Sequence, residues 1–196
     1  MYQRNRKAYR ISILGILSAI ILVQNFVPLL GYIPIPPLNP TIIHITVIIA
    51  ALTLGTKDGM IIGGVWGVSR LIKAFIAPAS PLDLLLFTNP IISIVPRILV
   101  GFVAGYVFHL IKKKNGKESI GMIISSILAS LTNTILVLFF IYIFYKDDYA
   151  MALNVDVSSL AKALGAIVLT NGIAEAVAAG IIAPIVARPL KRFKSN

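Results

Sequence analysis

The sequence predicts an all-α integral membrane protein, a bundle of six transmembrane helices, and two observations lead to that fold class. Of the 196 residues, 58% are hydrophobic and 13% are charged, whereas soluble domains carry about 25% charged residues. The chain also contains a series of apolar stretches, most of them near the length needed to cross a bilayer. Together with a mean hydropathy of +0.91, these features predict one membrane domain over residues 1–196 and no separate soluble domain.

Six spans are predicted at about residues 9–27, 41–55, 59–76, 90–111, 119–145 and 160–187. The first span follows a basic segment and lacks a clean small-residue cleavage site, so it is predicted to be a retained helix and not a signal peptide. Five prolines exclude a regular helix over residues 28–40. Because that segment is also apolar, we expect it to form a lid over the bundle or to lie in the membrane interface. Residues 77–89 are predicted to be a second, half-apolar loop.

The distribution of basic residues predicts the orientation of the bundle. Thirteen of the eighteen lysines and arginines fall at the N-terminus over residues 4–10, in the turn at Lys57, in the 112–117 loop or after the last span. The other five lie in the opposite half. Because basic loops stay in the cytoplasm, both termini are predicted to be cytoplasmic. The net charge of +11 then reflects membrane orientation, and no nucleic-acid partner is expected.

Small residues mark two helix faces in the predicted bundle. Gly15 and Ala19 lie four residues apart in the first span, a spacing that lets another helix approach closely. That helix belongs either to another subunit, which is the interpretation adopted here, or to the same bundle. Gly59, Gly63 and Gly67 form a second ridge, which predicts tight packing of the third span on a neighbour.

The central observation for function is Arg97, which lies inside the fourth predicted span. A helix that begins near Pro90 places Arg97 about two turns, or roughly 10 Å, from its end. A guanidinium at that depth costs a few kcal/mol or more unless it has a partner or reaches water. We therefore expect Arg97 to face a polar pocket and to bind an anionic or strongly polar ligand, since a guanidinium fork binds a carboxylate with two hydrogen bonds.

Other polar and aromatic residues fall at a similar depth in the predicted topology, and with Arg97 they are the candidate substrate-binding residues. They are His44, Trp66, Arg70, Asn133, Asn171 and Glu175. Asn171 and Glu175 lie four apart and share a helix face. An alternative is that these groups only satisfy each other, with Glu175 as the counter-ion of Arg97 or Arg70 and the asparagines bonded between helices.

The sequence argues against catalysis by this chain. It has no cysteine, no metal-binding histidine spacing and no glycine-rich nucleotide loop, so neither a metal site nor a bound cofactor is expected. An intramembrane enzyme would need a catalytic pair, and His44 with Glu175 is the best that the sequence offers. A scaffold would not need so many polar groups at one depth. These two classes remain the alternatives to ligand binding.

Several stretches resemble one protein family. They are the run over residues 40–49, the stretch from Asn89–Pro90 through Pro96–Arg97 to Gly101, the Thr132–Asn133–Thr134 triplet, and Asn171-x-x-x-Glu175. With six short spans in about 190 residues, they resemble the substrate-binding S-components of energy-coupling factor (ECF) vitamin transporters. The resemblance is to the subgroup that contains the riboflavin and pantothenate S-components, and most of all to the latter. Asn89 joins the candidate substrate-binding residues at the start of one of these stretches.

The resemblance implies a multi-pass protein of the bacterial plasma membrane that binds a water-soluble vitamin from outside with high affinity. The membrane coupling subunit EcfT and two cytoplasmic ATPases, which carry ATP and Mg, would drive its release. Gly15 and Ala19 match the family's Ala-x-x-x-Ala contact with EcfT, with glycine in the first position. Pantothenate is the expected substrate because it has a carboxylate, an amide and two hydroxyls. Pyridoxine, hydroxymethylpyrimidine and riboflavin remain alternatives.

Overall fold

The computed structural model describes residues 2–27, 29–32, 40–114 and 117–195, with side chains described for 8–27, 29–32, 40–114 and 117–191. The lid predicted over residues 28–40 therefore falls mostly outside the described residues. Its two described ends meet: Gly31 O accepts hydrogen bonds from Ile42 N (3.0 Å) and Thr41 Oγ1 (2.9 Å), and Tyr32 pairs with Thr41 in an isolated antiparallel bridge.

The described residues form eight α-helices. They are α1 (Tyr2–Phe26), α2 (Ile43–Leu54), α3 (Thr56–Ile76), α4 (Pro81–Phe87), α5 (Pro90–Lys113), α6 (Glu118–Ala152), α7 (Val157–Ile167) and α8 (Ile173–Ser195). Within the described ranges, five segments are long and apolar enough to cross a membrane: Ala8–Phe26, Thr56–Ile76, Pro90–Lys113, Glu118–Ala152 and Val157–Lys191. A further apolar helix, α2, has 12 residues and is shorter than a full crossing requires.

Helix α2 lies at the centre of the bundle. All but one of its residues are buried, and a helix that is apolar on every side needs neighbours all round. Its residues form one hydrophobic core with buried side chains of α1, α3, α5, α6 and α8, including Trp66, Ile62 and Ala104. A second core gathers Phe87, Tyr149 and Leu160 from α4, α6 and α7.

Two predicted loops contain helix. Residues 77–89 were expected to form a half-apolar loop, but Pro81–Phe87 is α4, because Ser80 Oγ accepts a hydrogen bond from Asp83 N (3.0 Å) and Pro81 occupies the first turn. Residues 146–159 lie between the predicted spans 119–145 and 160–187 and were therefore also expected to be a loop. Instead, α6 continues to Ala152 beyond a break at Tyr145 (φ −139°, ψ 30°).

The predicted span over residues 160–187 is not one continuous α-helix. A π-helical turn, Val168–Gly172, joins α7 to α8. Such turns widen a helix locally and often occur at functional sites. Here the turn contains Asn171 and lies one turn before Glu175, which are both candidate substrate-binding residues.

Glycines bring α3 and α5 into backbone contact, as the ridge in the third predicted span indicated. A methyl group on Gly63 would collide with the carbonyl of Arg97, and one on Gly101 would collide with the backbone of Gly59. Only glycine allows this approach. The contact matters for the site because it fixes Trp66 and Arg70 on α3 relative to Arg97 on α5.

We expect Gly101→Ala to lower the melting temperature of the detergent-purified protein, because the added methyl group must push α3 away from α5. Overpacking of this kind costs about 1–3 kcal/mol. Gly165→Ala is the matched control, since a Cβ at Gly165 meets no atom within 4 Å and alanine favours a helix. Equal melting temperatures for the two variants would contradict the close contact described here.

Candidate functional site

A cavity of about 360 Å³ lies among the ends of several helices. Its walls include apolar side chains such as Val137, Leu138 and Ile167, together with amide and hydroxyl groups. Five of the described charged side chains also line it: Arg70, Lys73, Asp83, Arg97 and Glu175. The volume falls in the range of small-molecule sites, which combine apolar walls with a few convergent polar groups.

Arg97 is buried in α5, and the preceding residue determines how it is held. Pro96 lies inside the helix and has no N–H, so the carbonyl of Ile92, four residues earlier, loses its usual helical donor. Arg97 Nη1 donates to that carbonyl at 2.5 Å. The proline thus supplies an acceptor for the guanidinium within its own helix.

Aromatic rings cover Arg97, and no carboxylate pairs with it. Its guanidinium carbon lies 5.0 Å from the Trp66 ring centroid and 5.4 Å from that of Phe87, distances typical of cation–π contacts. Among the described residues, no carboxylate oxygen lies within 4.0 Å of its nitrogens. Nε is buried and has no hydrogen-bond partner within the same residues. Arg97 therefore lines the cavity as a cation without a paired anion.

Arg70 is paired, and its counter-ion is not the one that the sequence suggested. Both of its terminal nitrogens bond to the carboxylate of Asp83 on α4. The guanidinium carbon also lies 4.1 Å from the Phe87 ring centroid. Asp83 escaped the sequence analysis because it lies in a segment expected to be a loop, so the ion pair brings a new residue to the cavity.

Glu175 binds hydrogen-bond donors in place of a cation. Its Oε1 accepts from Thr41 N (2.7 Å) and its Oε2 from Thr134 Oγ1 (2.9 Å). Among the described residues Glu175 thus forms no ion pair with Arg97 or Arg70, and the alternative in which it only balances their charge is left to experiment. These bonds fix the carboxylate at the cavity wall, and they join α8 to α6 and to Thr41, two residues before α2.

Two asparagines complete the polar lining. Asn133 on α6 is buried, and its Oδ1 has no hydrogen-bond partner among the described residues. Asn171 lies in the π-helical turn and is partly exposed. Both line the cavity. An amide offers both donors and an acceptor, so this wall suits hydroxyl and amide groups of a ligand.

Three predicted site residues do not line the cavity. His44 Nε2 lies 3.1 Å from Ser130 Oγ in the bundle interior, so His44 joins α2 to α6. Trp66 is fully buried under the Arg97 guanidinium. Asn89 caps α5 by accepting from Ile91 N (2.9 Å). All three positions are explained by local structure, and a direct role in binding stays a prediction.

Lys73 also lines the cavity, although it was not among the candidate substrate-binding residues. Its Nζ donates to Asn25 O at 2.6 Å and lies 4.9 Å from the Tyr32 ring centroid. Lys73 thus links α3 to the end of α1 and is a third cation of the cavity besides Arg70 and Arg97. The spacing of Arg70 and Lys73, three residues apart on one helix face, was the signal that could have indicated this.

The predicted partner surface lies on the outside of the bundle. Gly15 and Ala19 are both exposed, and a Cβ at Gly15 would meet no atom within 4 Å. These small residues are therefore not used for packing among the described residues, unlike the glycines between α3 and α5.

Comparison with known proteins assigns the family. The model of the family described as ECF transporter, substrate-specific component, matches residues 9–187. The chain belongs to this family. This S-component is a transporter subunit and a multi-pass protein of the bacterial membrane. The family match confirms the resemblance that the sequence motifs indicated.

Two curated relatives are similar to it in sequence, and a solved structure is similar to it in fold. A "Pantothenate transporter PanT" of Leuconostoc mesenteroides is 41% identical to the S-component over 137 residues, which cover 67% of each chain. A "Pantothenic acid transporter PanT" of Lactococcus lactis is 29% identical over 98% of this chain and 99% of its own. The crystal structure of an S-component for biotin from an ECF-type ABC transporter matches with a TM-score of 0.57 and 16% identity, covering 98% and 94% of the two chains. At that identity the match shows the fold alone.

Proposed function

We propose that this S-component binds pantothenate in the described cavity and is the high-affinity substrate subunit of an ECF-type importer. The observation that carries the proposal is Arg97, a buried cation that lines the cavity and has no carboxylate partner among the described residues. The two curated relatives named as pantothenate transporters support the choice of vitamin.

The chemistry of the cavity corresponds to the groups of pantothenate. Its carboxylate would take the free donors of Arg97, with Lys73 as a second nearby cation. Its hydroxyls and amide would bond to Glu175, Asn133 and Asn171. Because Arg70 is neutralised by Asp83, the remaining cations exceed the remaining carboxylate by one, which matches a ligand with one negative charge.

We infer the topology and partners from the same observations. Helix α2, at about 1.5 Å per residue, would make the sixth crossing together with the residues that flank it. Both termini would be cytoplasmic. Gly15 and Ala19 would contact EcfT, and two ATPases would bind ATP and Mg on the cytoplasmic side. This chain would hold no cofactor and catalyse no reaction.

We expect the isolated protein, folded in detergent and without ATP, to bind pantothenate in isothermal titration. Pyridoxine, hydroxymethylpyrimidine and riboflavin should bind much more weakly, since each lacks a carboxylate to bond to Arg97. Tight binding of one of these three, with none of pantothenate, would transfer the assignment to that vitamin. Absence of all binding would reject the ligand site and favour a scaffold.

A further inference from the structure

Some charged groups of the cavity form an ion pair and others do not. Arg70, Lys73 and Arg97 contribute positive charge, and Asp83 and Glu175 contribute negative charge, among the described residues. Of these five described cavity groups, only Arg70 and Asp83 form an ion pair, and their side chains are 6% and 9% exposed. This pair is neutral by itself. The other three groups leave one positive charge for a ligand to neutralise.

Asp83 is held in place by contacts other than Arg70. Its Oδ2 accepts a hydrogen bond from Ala79 N at 3.0 Å, and its backbone N donates to Ser80 Oγ at 3.0 Å. These bonds belong to the N-terminal cap of α4 and fix the carboxylate at the start of the helix. Arg70 therefore has a fixed counter-ion in the cavity wall.

Asp83 also lowers the repulsion between two guanidinium groups. The guanidinium carbons of Arg70 and Arg97 lie 4.1 Å and 5.4 Å from the centroid of the same Phe87 ring. Two like charges beside one aromatic ring repel in a buried site, where water screens them poorly. With Arg70 neutralised by Asp83, Arg97 is the guanidinium that lacks an anion.

We propose that Asp83 determines how much negative charge the cavity accepts in a ligand's acidic group. By neutralising Arg70, it restricts the cavity to acids that carry a single negative charge. This inference rests on the proposed function, because it takes Arg97 as the group that binds the ligand's acid. A doubly charged acid adds one negative charge that the cavity does not neutralise. Without the carboxylate of Asp83, Arg70 becomes an additional unpaired cation for such an acid.

Two analogues of pantothenate separate charge from shape. In one, a sulfonate replaces the carboxylate; in the other, a phosphonate replaces it. Both groups are tetrahedral, but above its second ionisation the phosphonate carries two negative charges and the sulfonate one. When titrated at such an alkaline pH, the wild-type protein should bind the sulfonate at least about tenfold more tightly than the phosphonate. This is the difference expected for an unneutralised buried charge.

Variants of the ion pair should move this preference in directions set by charge. Asp83→Asn keeps the size of the side chain. It should improve binding of the phosphonate relative to the sulfonate, changing the ratio of their dissociation constants by at least about tenfold. Arg70→Gln should shift it in the opposite direction. The double variant Arg70→Gln with Asp83→Asn restores the wild-type net charge, so its ratio should return toward that of the wild type. Thermal unfolding of each variant verifies that it is folded.

A folded Asp83→Asn protein with an unchanged ratio overturns the proposal. A double variant that retains the ratio of Asp83→Asn also overturns it, because the effect would then not follow net charge. If Asp83→Asn does not fold, the Arg70→Gln shift decides, and a shift toward the phosphonate rejects the inference. Failure of the wild type to bind pantothenate itself overturns the proposed function and this inference with it, a result distinct from the others.

Discussion

Arg97→Lys is expected to weaken pantothenate binding by roughly thirtyfold to several thousandfold, although the positive charge remains. Lysine cannot bond to Ile92 O and to a ligand carboxylate with one planar fork, as the guanidinium can. It also loses the flat face that lies over Trp66 and Phe87. Isothermal titration of the folded variant measures the effect. Arg188→Met, which removes an exposed arginine at the far end of α8, is a control for loss of a positive charge.

A carboxamide analogue of pantothenate identifies the ligand group that Arg97 binds. The wild type should bind the amide much more weakly than the acid, while Arg97→Met should bind the two almost equally. The double variant Arg97→Met with Glu175→Gln should stay weak, because Glu175 is bonded to Thr41 and Thr134 and forms no ion pair with Arg97 among the described residues. Recovery of wild-type affinity in the double variant would show that Arg97 serves only to balance Glu175.

Ala19→Leu is expected to abolish vitamin uptake while leaving the dissociation constant of the isolated protein within about threefold of the wild type. Ala19 is exposed, and a Cβ at the nearby Gly15 would meet no described atom within 4 Å, so added bulk on this face should leave the cavity intact. The same bulk would separate the backbones of α1 and a partner helix. Uptake is measured in cells that also produce the coupling subunit and the ATPases, and binding is measured on the purified chain.

Ala161→Leu, at an exposed position of α7, is the matched control for Ala19→Leu and should retain uptake. If both variants abolish uptake, general disturbance of the membrane surface explains the result. If Ala19→Leu also loses ligand binding, α1 packs inside the bundle in a state other than the one described here.

The sequence predicted the helical membrane fold well because its signals are local. Composition and span length need no tertiary information, and the cost of burying Arg97 alone indicated a polar cavity. Five of the eight candidate residues line one cavity: Arg70, Arg97, Asn133, Asn171 and Glu175. Their role in substrate binding is still a prediction.

Some errors came from signals that were present but not used. Ser80–Pro81–Leu82–Asp83 is a helix start, with a capping serine, a proline in the first turn and an acid three residues after the cap. Reading it would have predicted α4. Asn89–Pro90 is a start of the same kind, which explains why the Asn89 side chain caps α5.

Other features could not be predicted because they depend on tertiary contacts. Glu175 and Thr41 are 134 positions apart, and no local pattern indicates their bond. The ion pair of Arg70 with Asp83 requires α4 to pack on α3, and the sequence offered Glu175 as an equally reasonable partner. The π-helical turn at Val168–Gly172 follows no residue signal that we can identify.

The bond between Arg97 and Ile92 O has a consequence for the empty transporter. Pro96 frees that carbonyl, so the guanidinium has an acceptor before any ligand arrives. An arginine held by a carboxylate would have to break an ion pair in order to take up a ligand acid. Arg97 instead keeps its internal bond and uses its remaining donors, so binding requires little rearrangement and association should be fast.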